Sequence, residues 1–439
     1  MHFRRYTKAP LLGGRFVCFS VLSLVLGCDA VPLGGDPNAA RRRAELAPVE
    51  LPPVKSPVLE DAQNNDIFES AQPATLPDSG TIVIEGSIDA ANDIDVYALG
   101  PAIRGDRITV EVTGQDGLNT VAALFDGFAD LIDANDDRSF YGGLRDPYVS
   151  RVVRQDTVNL FVGVAVSSAT HFASTQGRFS TGSYTVKITR APGASFSDPN
   201  PQLVYMDFEG GKTVQIGLEP LTTMRPFSAE SMSSRLAGRT EDIIGMVIAQ
   251  MAKDFAPYNV TLLNSRQHAR PSAPHSELYF GNFNAQYLGL ADNVDTGNAS
   301  IEQEAIIYSE DMGMFESLQP SAEEVAQALA NVGSHELGHL LGLEHTADPA
   351  DLMATAATAR QILEHDASFI WSRLQPDVFP VGGQDNPSLL LLNVGANPSG
   401  ASSRVRLLDT LPMKKSSWRD AAGLADIPIH QCGGCGGQP

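Results

Sequence analysis

Apolar and polar residues change their spacing along the chain. From about residue 64 to residue 190 they alternate in short runs. The clearest are Thr81-Ile82-Val83-Ile84-Glu85-Gly86, Arg107-Ile108-Thr109-Val110-Glu111-Val112, Asn159-Leu160-Phe161-Val162-Gly163-Val164 and Ser183-Tyr184-Thr185-Val186-Lys187-Ile188. Period-two runs punctuated by turn residues are half-buried strands, which predicts an all-β sandwich over 64–190. From residue 203 the periods mix. Leu203–Phe208, Tyr258–Leu263, Glu277–Phe280 and Ala305–Tyr308 read as strands. Ile243, Ile244, Val247, Met251 and Phe255 instead share one face of a helix over Thr240–Phe255. A second helix opens at Pro320-Ser321-Ala322-Glu323-Glu324, where Ser321 and Glu324 have capping-box spacing, and Val325, Leu329 and Val332 extend it. Residues 203–397 therefore read as an α/β (α+β) domain, with helices against a mixed sheet.

The remaining segments carry no such period. Residues 191–202 are rich in Pro, Ser and Gly and read as a linker. Residues 28–63 are rich in Pro, Ala and charge and read as a flexible tether, and 398–439 form a weakly patterned C-terminal tail. At the N-terminus Arg4, Arg5, Lys8 and Arg15 accompany an apolar run over Phe16–Gly27. A spanning helix needs about 20 apolar residues, so this shorter run reads as a signal peptide over 1–27. Leu24-Val25-Leu26-Gly27-Cys28 resembles the bacterial lipobox. That resemblance implies cleavage before Cys28, lipidation of its thiol, and an extracytoplasmic lipoprotein on the cell membrane or outer membrane; ordinary cleavage and secretion is the alternative.

Composition narrows the partners. The chain has 439 residues, 43% of them hydrophobic, enough for several cores. Its net charge of −21 excludes a nucleic-acid partner, because phosphate binding needs clustered Lys and Arg. The same charge would be repelled by an anionic membrane, which leaves the lipid on Cys28 as the membrane contact. Four cysteines in such a length exclude a disulfide scaffold. Cys432 and Cys435 lack a second pair to complete a metal site, and read as a local disulfide or an incidental pair. A monomer is expected.

The candidate chemistry lies in His335-Glu336-Leu337-Gly338-His339-Leu340-Leu341-Gly342-Leu343-Glu344-His345. His335 and His339, four apart on a helix, stack on one face and reach one Zn²⁺. Gly342 has the freedom to adopt the left-handed conformation that ends a helix, so His345 returns to the same ion from outside it. Three imidazoles leave one tetrahedral position open, the mark of a catalytic rather than a structural zinc. Glu336, beside the ion and not bound to it, is the candidate general base.

This pattern resembles that of the metzincin metallopeptidases, as does Asp351-Leu352-Met353-Ala354 at the spacing of their methionine turn. The resemblance implies that Met353 floors the three imidazoles and that the chain is a zinc endopeptidase for protein or peptide substrates. Thr355 stands where some branches carry a zinc-assisting Tyr. A second resemblance covers the first domain. Gly86-x-Ile88, Asp93-Ile94-Asp95-Val96-Tyr97, Gly105-Asp106-Arg107-Ile108 and Gly182-Ser183-Tyr184 are similar to the bacterial pre-peptidase C-terminal domain, here placed before the peptidase. Gly289, Leu290 and Ala291 are the candidate edge on which an extended substrate pairs. Asp93, Asp95, Asp292, Asp295 and the run Asp133–Asp137 read as turn formers, with Ca²⁺ ligation as their alternative role. His268, His275 and His365 have no paired spacing and read as ordinary surface or core residues. The competing function is a cell-surface binding protein that keeps zinc without turnover, against which the retained Glu336 argues.

Overall fold

A computed structural model describes residues 58–60, 64–115, 117–139, 144–167, 181–196, 198–217, 219–399 and 429–430. The expected signal peptide, Cys28, most of the tether, and most of the tail with Cys432 and Cys435 lie outside the described residues.

The first part holds two five-stranded sheets. One has the order Val58–Glu60, Gly80–Ile88, Gly182–Ala191, Arg107–Gly114, Tyr148–Val152. The other has the order Gln72–Pro73, Ile94–Ala102, Thr157–Val166, Thr120–Phe125, Leu131–Asn135. Alternation sets which face is buried: Ile82, Ile84, Ile108, Val110, Val112, Val186 and Ile188 of the first sheet share one core with Leu99, Leu124, Val162 and Val164 of the second. Val58–Glu60, expected in the tether, instead pairs in parallel with Val83–Glu85. Its Leu59 packs on the same core, a burial that a solvated tether lacks.

The second sheet is buried on both faces. Every residue of Thr120–Phe125 is buried. Its outer side chains Val121, Ala123 and Phe125, with Phe161, pack against Leu374, Val378 and Phe379 from much later in the chain.

The later part holds a sheet in the order Val260–Asn264, Gln202–Asp207, Ser276–Gly281, Glu304–Tyr308, Gly289–Ala291. The first four strands are parallel; Gly289–Ala291 runs antiparallel at the end. Two helices share a core with this sheet. Thr240–Asp254 buries Ile243, Ile244, Val247 and Met251, and Ala322–Leu340 adds Val325, Leu329 and Val332. Gly333 lets the helices close, since a Cβ there would lie 2.9 Å from Met251 Sδ. Ser321 and Glu324 form the reciprocal capping box, Oγ accepting from Glu324 N at 3.2 Å and Oε2 from Ser321 N at 2.6 Å. Beyond Ala328 this helix is buried all round, polar residues included. Buried polar side chains need partners, and those partners build the site. Ala356–Ala357 also pairs antiparallel with Ile429–His430 of the tail.

Candidate metal centre

The end of the buried helix is shaped by Gly342. Its φ is +89°, and the N–H groups of Gly342 and Leu343 donate to the carbonyls of His339 (2.9 Å) and Gly338 (3.0 Å). This is a Schellman ending, which closes the last carbonyls and turns the chain sharply. An added Cβ would stand 2.6 Å from the Asp295 carbonyl oxygen, so a larger residue is excluded twice over. The turn brings His345 back to the helix. Side-chain ligand atoms of His335, His339 and His345 all lie within 4.8 Å of one another, and all three residues are buried.

Each helical imidazole is oriented by a backbone carbonyl, His335 Nδ1 by Leu352 O at 2.7 Å and His339 Nδ1 by Leu343 O at 2.8 Å. A carbonyl only accepts, so both Nδ1 atoms carry the proton and both Nε2 atoms present lone pairs. Those two Nε2 atoms face each other at 3.0 Å. Burial, then the neighbouring His345, pushes the His335 pKa down to about 3. His339 is pushed well below the usual histidine range by burial first and by the other two rings after it. Neither ring therefore supplies a proton between the nitrogens. His345 Nε2 is also buried with no hydrogen-bond partner. Two inward lone pairs without a proton, converging with a third buried imidazole whose Nε2 has no hydrogen-bond partner, are what a borderline divalent cation neutralises, so the residues present fit a zinc ion.

Met353 lies directly beneath the helix: a Cβ on Gly338 would meet its Sδ at 2.4 Å. The turn carrying Met353 is tied by Asp351, which the sequence marks only as part of the methionine-turn motif, without a role of its own. Asp351 Oδ2 accepts from Thr346 Oγ1 at 2.7 Å, Oδ1 from Met353 N at 3.2 Å, and both oxygens from Asn386 Nδ2. Burial raises its pKa to about 6 against these bonds. Thr346 N also donates to Met353 O at 2.9 Å, joining the turn to the residue after His345. Thr355, two residues past Met353, is buried and accepts from Gln375 Nε2.

Glu336 is fully buried on the same helix. Its carboxylate touches the end strand: a Cβ on Gly289 would stand 2.3 Å from Oε1. Gly289, Leu290 and Ala291 are thus placed beside Glu336 at the end of the sheet. No periodicity marks such a contact; a glycine inside a short apolar strand was the available signal.

The candidate Ca²⁺ ligands do not assemble. Among the described residues, the three histidines are the group arranged to share an ion. Asp93 accepts from Asp89 N, Asp292 from Glu304 N and Asp295 from Ser300 N. Asp95 accepts from Tyr184 Oη, and Asp133 pairs with Arg151 at 2.7 Å. These five carboxylates close turns and internal pairs, and among the described residues no three candidate carboxylates converge as ligands. His268 accepts from Asn264 N and His275 is a half-buried neighbour of Tyr205.

The family model for Matrixin (Peptidase M10) matches residues 277–369. The structure is similar to the pre-peptidase C-terminal domain of collagenase from Bacillus anthracis, at 13% identity, 27% of this chain, 94% of that chain and a TM-score of 0.20. It is similar to archaemetzincin from Methanopyrus kandleri at 12% identity, over 38% of this chain and 89% of that chain, with a TM-score of 0.23. No curated protein sequence matches the chain. The Matrixin match supports a metallopeptidase, and with the histidine triad it implies zinc binding.

Proposed function

We propose that the chain is a zinc-dependent endopeptidase acting outside the cytoplasm. The observation that carries this reading is the convergence of three buried imidazoles at a helix that also carries the buried Glu336, whose carboxylate stands against a terminal strand. His335, His339 and His345 would hold the ion. When bound, zinc supplies Lewis acidity that acidifies water and polarises a carbonyl. The protein's own groups do the rest. Gly289–Ala291 offers its main chain to an extended peptide, which holds the scissile bond over the helix. Glu336 accepts the proton of the attacking water and returns it to the departing amine. The carbonyls of Leu352 and Leu343 fix the two helical imidazoles with their Nε2 lone pairs inward, burial keeps those two rings neutral, and Met353 floors the site.

The reading includes a lipid on Cys28 that keeps a monomeric enzyme at the membrane, a first domain folded as a β-sandwich, and protein substrates. Digestion of an unfolded protein by the purified chain and by Glu336→Gln tests the chemistry. Cleavage by the first, blocked by a zinc chelator and absent in the second, is expected. Zinc binding without cleavage of any protein would favour a surface-binding role. Labelling with a radioactive fatty acid, lost in Cys28→Ala, tests the anchor.

A further inference from the structure

Two of the three imidazoles ride on a helix, whereas His345 lies beyond the Gly342 turn and takes its position from elsewhere. That support comes from a hairpin, Trp371–Arg373 paired with Gly383–Asp385. Its main chain and one side chain zip along the segment around His345. Gln375 N donates to His345 O at 3.1 Å and Ala347 N to Arg373 O at 2.9 Å. Gln384 clasps Glu344 from both sides, Oε1 accepting from Glu344 N and Nε2 donating to Glu344 O, each at 2.9 Å. The same hairpin brings Asp377 Oδ2 to 3.7 Å from His345 Nδ1. The helical rings are oriented by hydrogen bonds to carbonyls; the acceptor nearest the His345 Nδ1 is this carboxylate, at a longer range.

The hairpin is in turn held by the first domain. Phe379 is fully buried against Phe125, with ring centroids 5.5 Å apart. It lies over Gly163, where a Cβ would be 2.5 Å from its Cζ. Gly382 lies as close to Phe125, at 2.5 Å from Cε1 for an added Cβ. Gly383 N donates to Ala129 O at 3.0 Å, and Trp371 Nε1 to Asp130 Oδ1 at 2.5 Å. Two glycines from different parts of the chain thus allow an interlocked aromatic contact that a loosely carried module would not need.

We infer that the first domain is a working part of the metal centre: through Phe379 it seats the hairpin that fixes His345 and its partner Asp377. Phe379 and Asp377 are positioning residues. The inference rests on the zinc reading above and extends it to a domain that lies outside the segment carrying the histidines. It also assigns a role to the buried outer face of the second sheet.

The test measures zinc affinity in the full chain, by competition with a chromophoric chelator, alongside thermal unfolding. The variants are Phe379→Ala, Gly163→Ala and Asp377→Asn. Arg154→Ala is the control, because Arg154 joins the domains elsewhere, bonding Asn393 Oδ1 at 2.9 Å and the Leu392 carbonyl. Loss of a supporting group typically weakens metal binding about 10- to 100-fold. That loss is expected for Phe379→Ala and Gly163→Ala, with a smaller one for Asp377→Asn and no change for Arg154→Ala. Phe379→Leu should recover part of the affinity. Zinc affinity within twofold of wild type in Gly163→Ala and Asp377→Asn overturns the inference, even if both melt earlier. So does an equal loss in Arg154→Ala, which would mean that any loosening of the interface acts alike. If Phe379→Ala does not fold, the other two variants decide. A wild-type chain that binds no zinc overturns the metal-centre reading itself, and this inference with it.

Discussion

Gly289 and Glu336 occupy one another's space: the Cβ that Gly289 lacks would fall 2.3 Å from Glu336 Oε1. The buried carboxylate therefore stands against the main chain of the end strand, where a paired peptide would pass. Gly289→Ala should be harmless or slightly stabilising by backbone entropy alone. The steric contact reverses that expectation for activity. Displacing a reacting group by about 1 Å costs on the order of 10²-fold in rate. Peptide hydrolysis by Gly289→Ala should fall by about that factor in kcat, with zinc stoichiometry unchanged. Unaltered kcat would mean that Glu336 is not held by this contact.

Gly342 makes a different demand. Its φ of +89° and the 2.6 Å approach to Asp295 O belong to the backbone, which has little room to yield. An L-residue there costs about 1–2 kcal/mol for the left-handed conformation, before any clash. Gly342→Ala should lower unfolding stability by at least that much and release His345 from the ion. Denaturant midpoints and zinc retention measured together check both effects.

The histidine spacing was legible because His335 and His339 are set by the helical repeat and His345 follows within a few residues, past a glycine that can end the helix. The capping box was legible for the same local reason, and Ser321 and Glu324 bond as their spacing predicts. What escaped was set by distant partners. Thr120–Phe125 is a nearly continuous apolar run, the signature of a strand covered on both sides. Its cover, Phe379, comes from past the methionine turn, a pairing no period encodes. Asp351 escaped likewise, since its meaning depends on Asn386, remote in sequence.

Asp351 is the junction between Thr346, Met353 and Asn386. Asp351→Ala strands three donors in a buried site, and each unsatisfied group costs about 1–3 kcal/mol. Partial relaxation would bring the total to roughly 3 kcal/mol or more. Urea unfolding should show a clearly lower midpoint at an unchanged slope. Asp351→Asn keeps some acceptor capacity and should lose less. Equal midpoints for wild type and Asp351→Ala would remove Asp351 from the support of the turn.

The interface under the hairpin should respond to pH through Asp130. Burial raises its pKa to about 7, the Trp371 hydrogen bond opposes this, and the Asp126 and Asp385 carboxylates add to the rise. In the unfolded chain an aspartate titrates near 3.9. The folded state thus binds the proton more tightly, and its relative stability is fully present below about 3.9. It is lost progressively as pH rises through about 7. Asp130→Asn mimics the protonated side chain and removes this dependence. Thermal unfolding from pH 4 to pH 8 should show the variant gaining on wild type as pH rises. Parallel curves would mean that the Asp130 carboxyl titrates alike in both states.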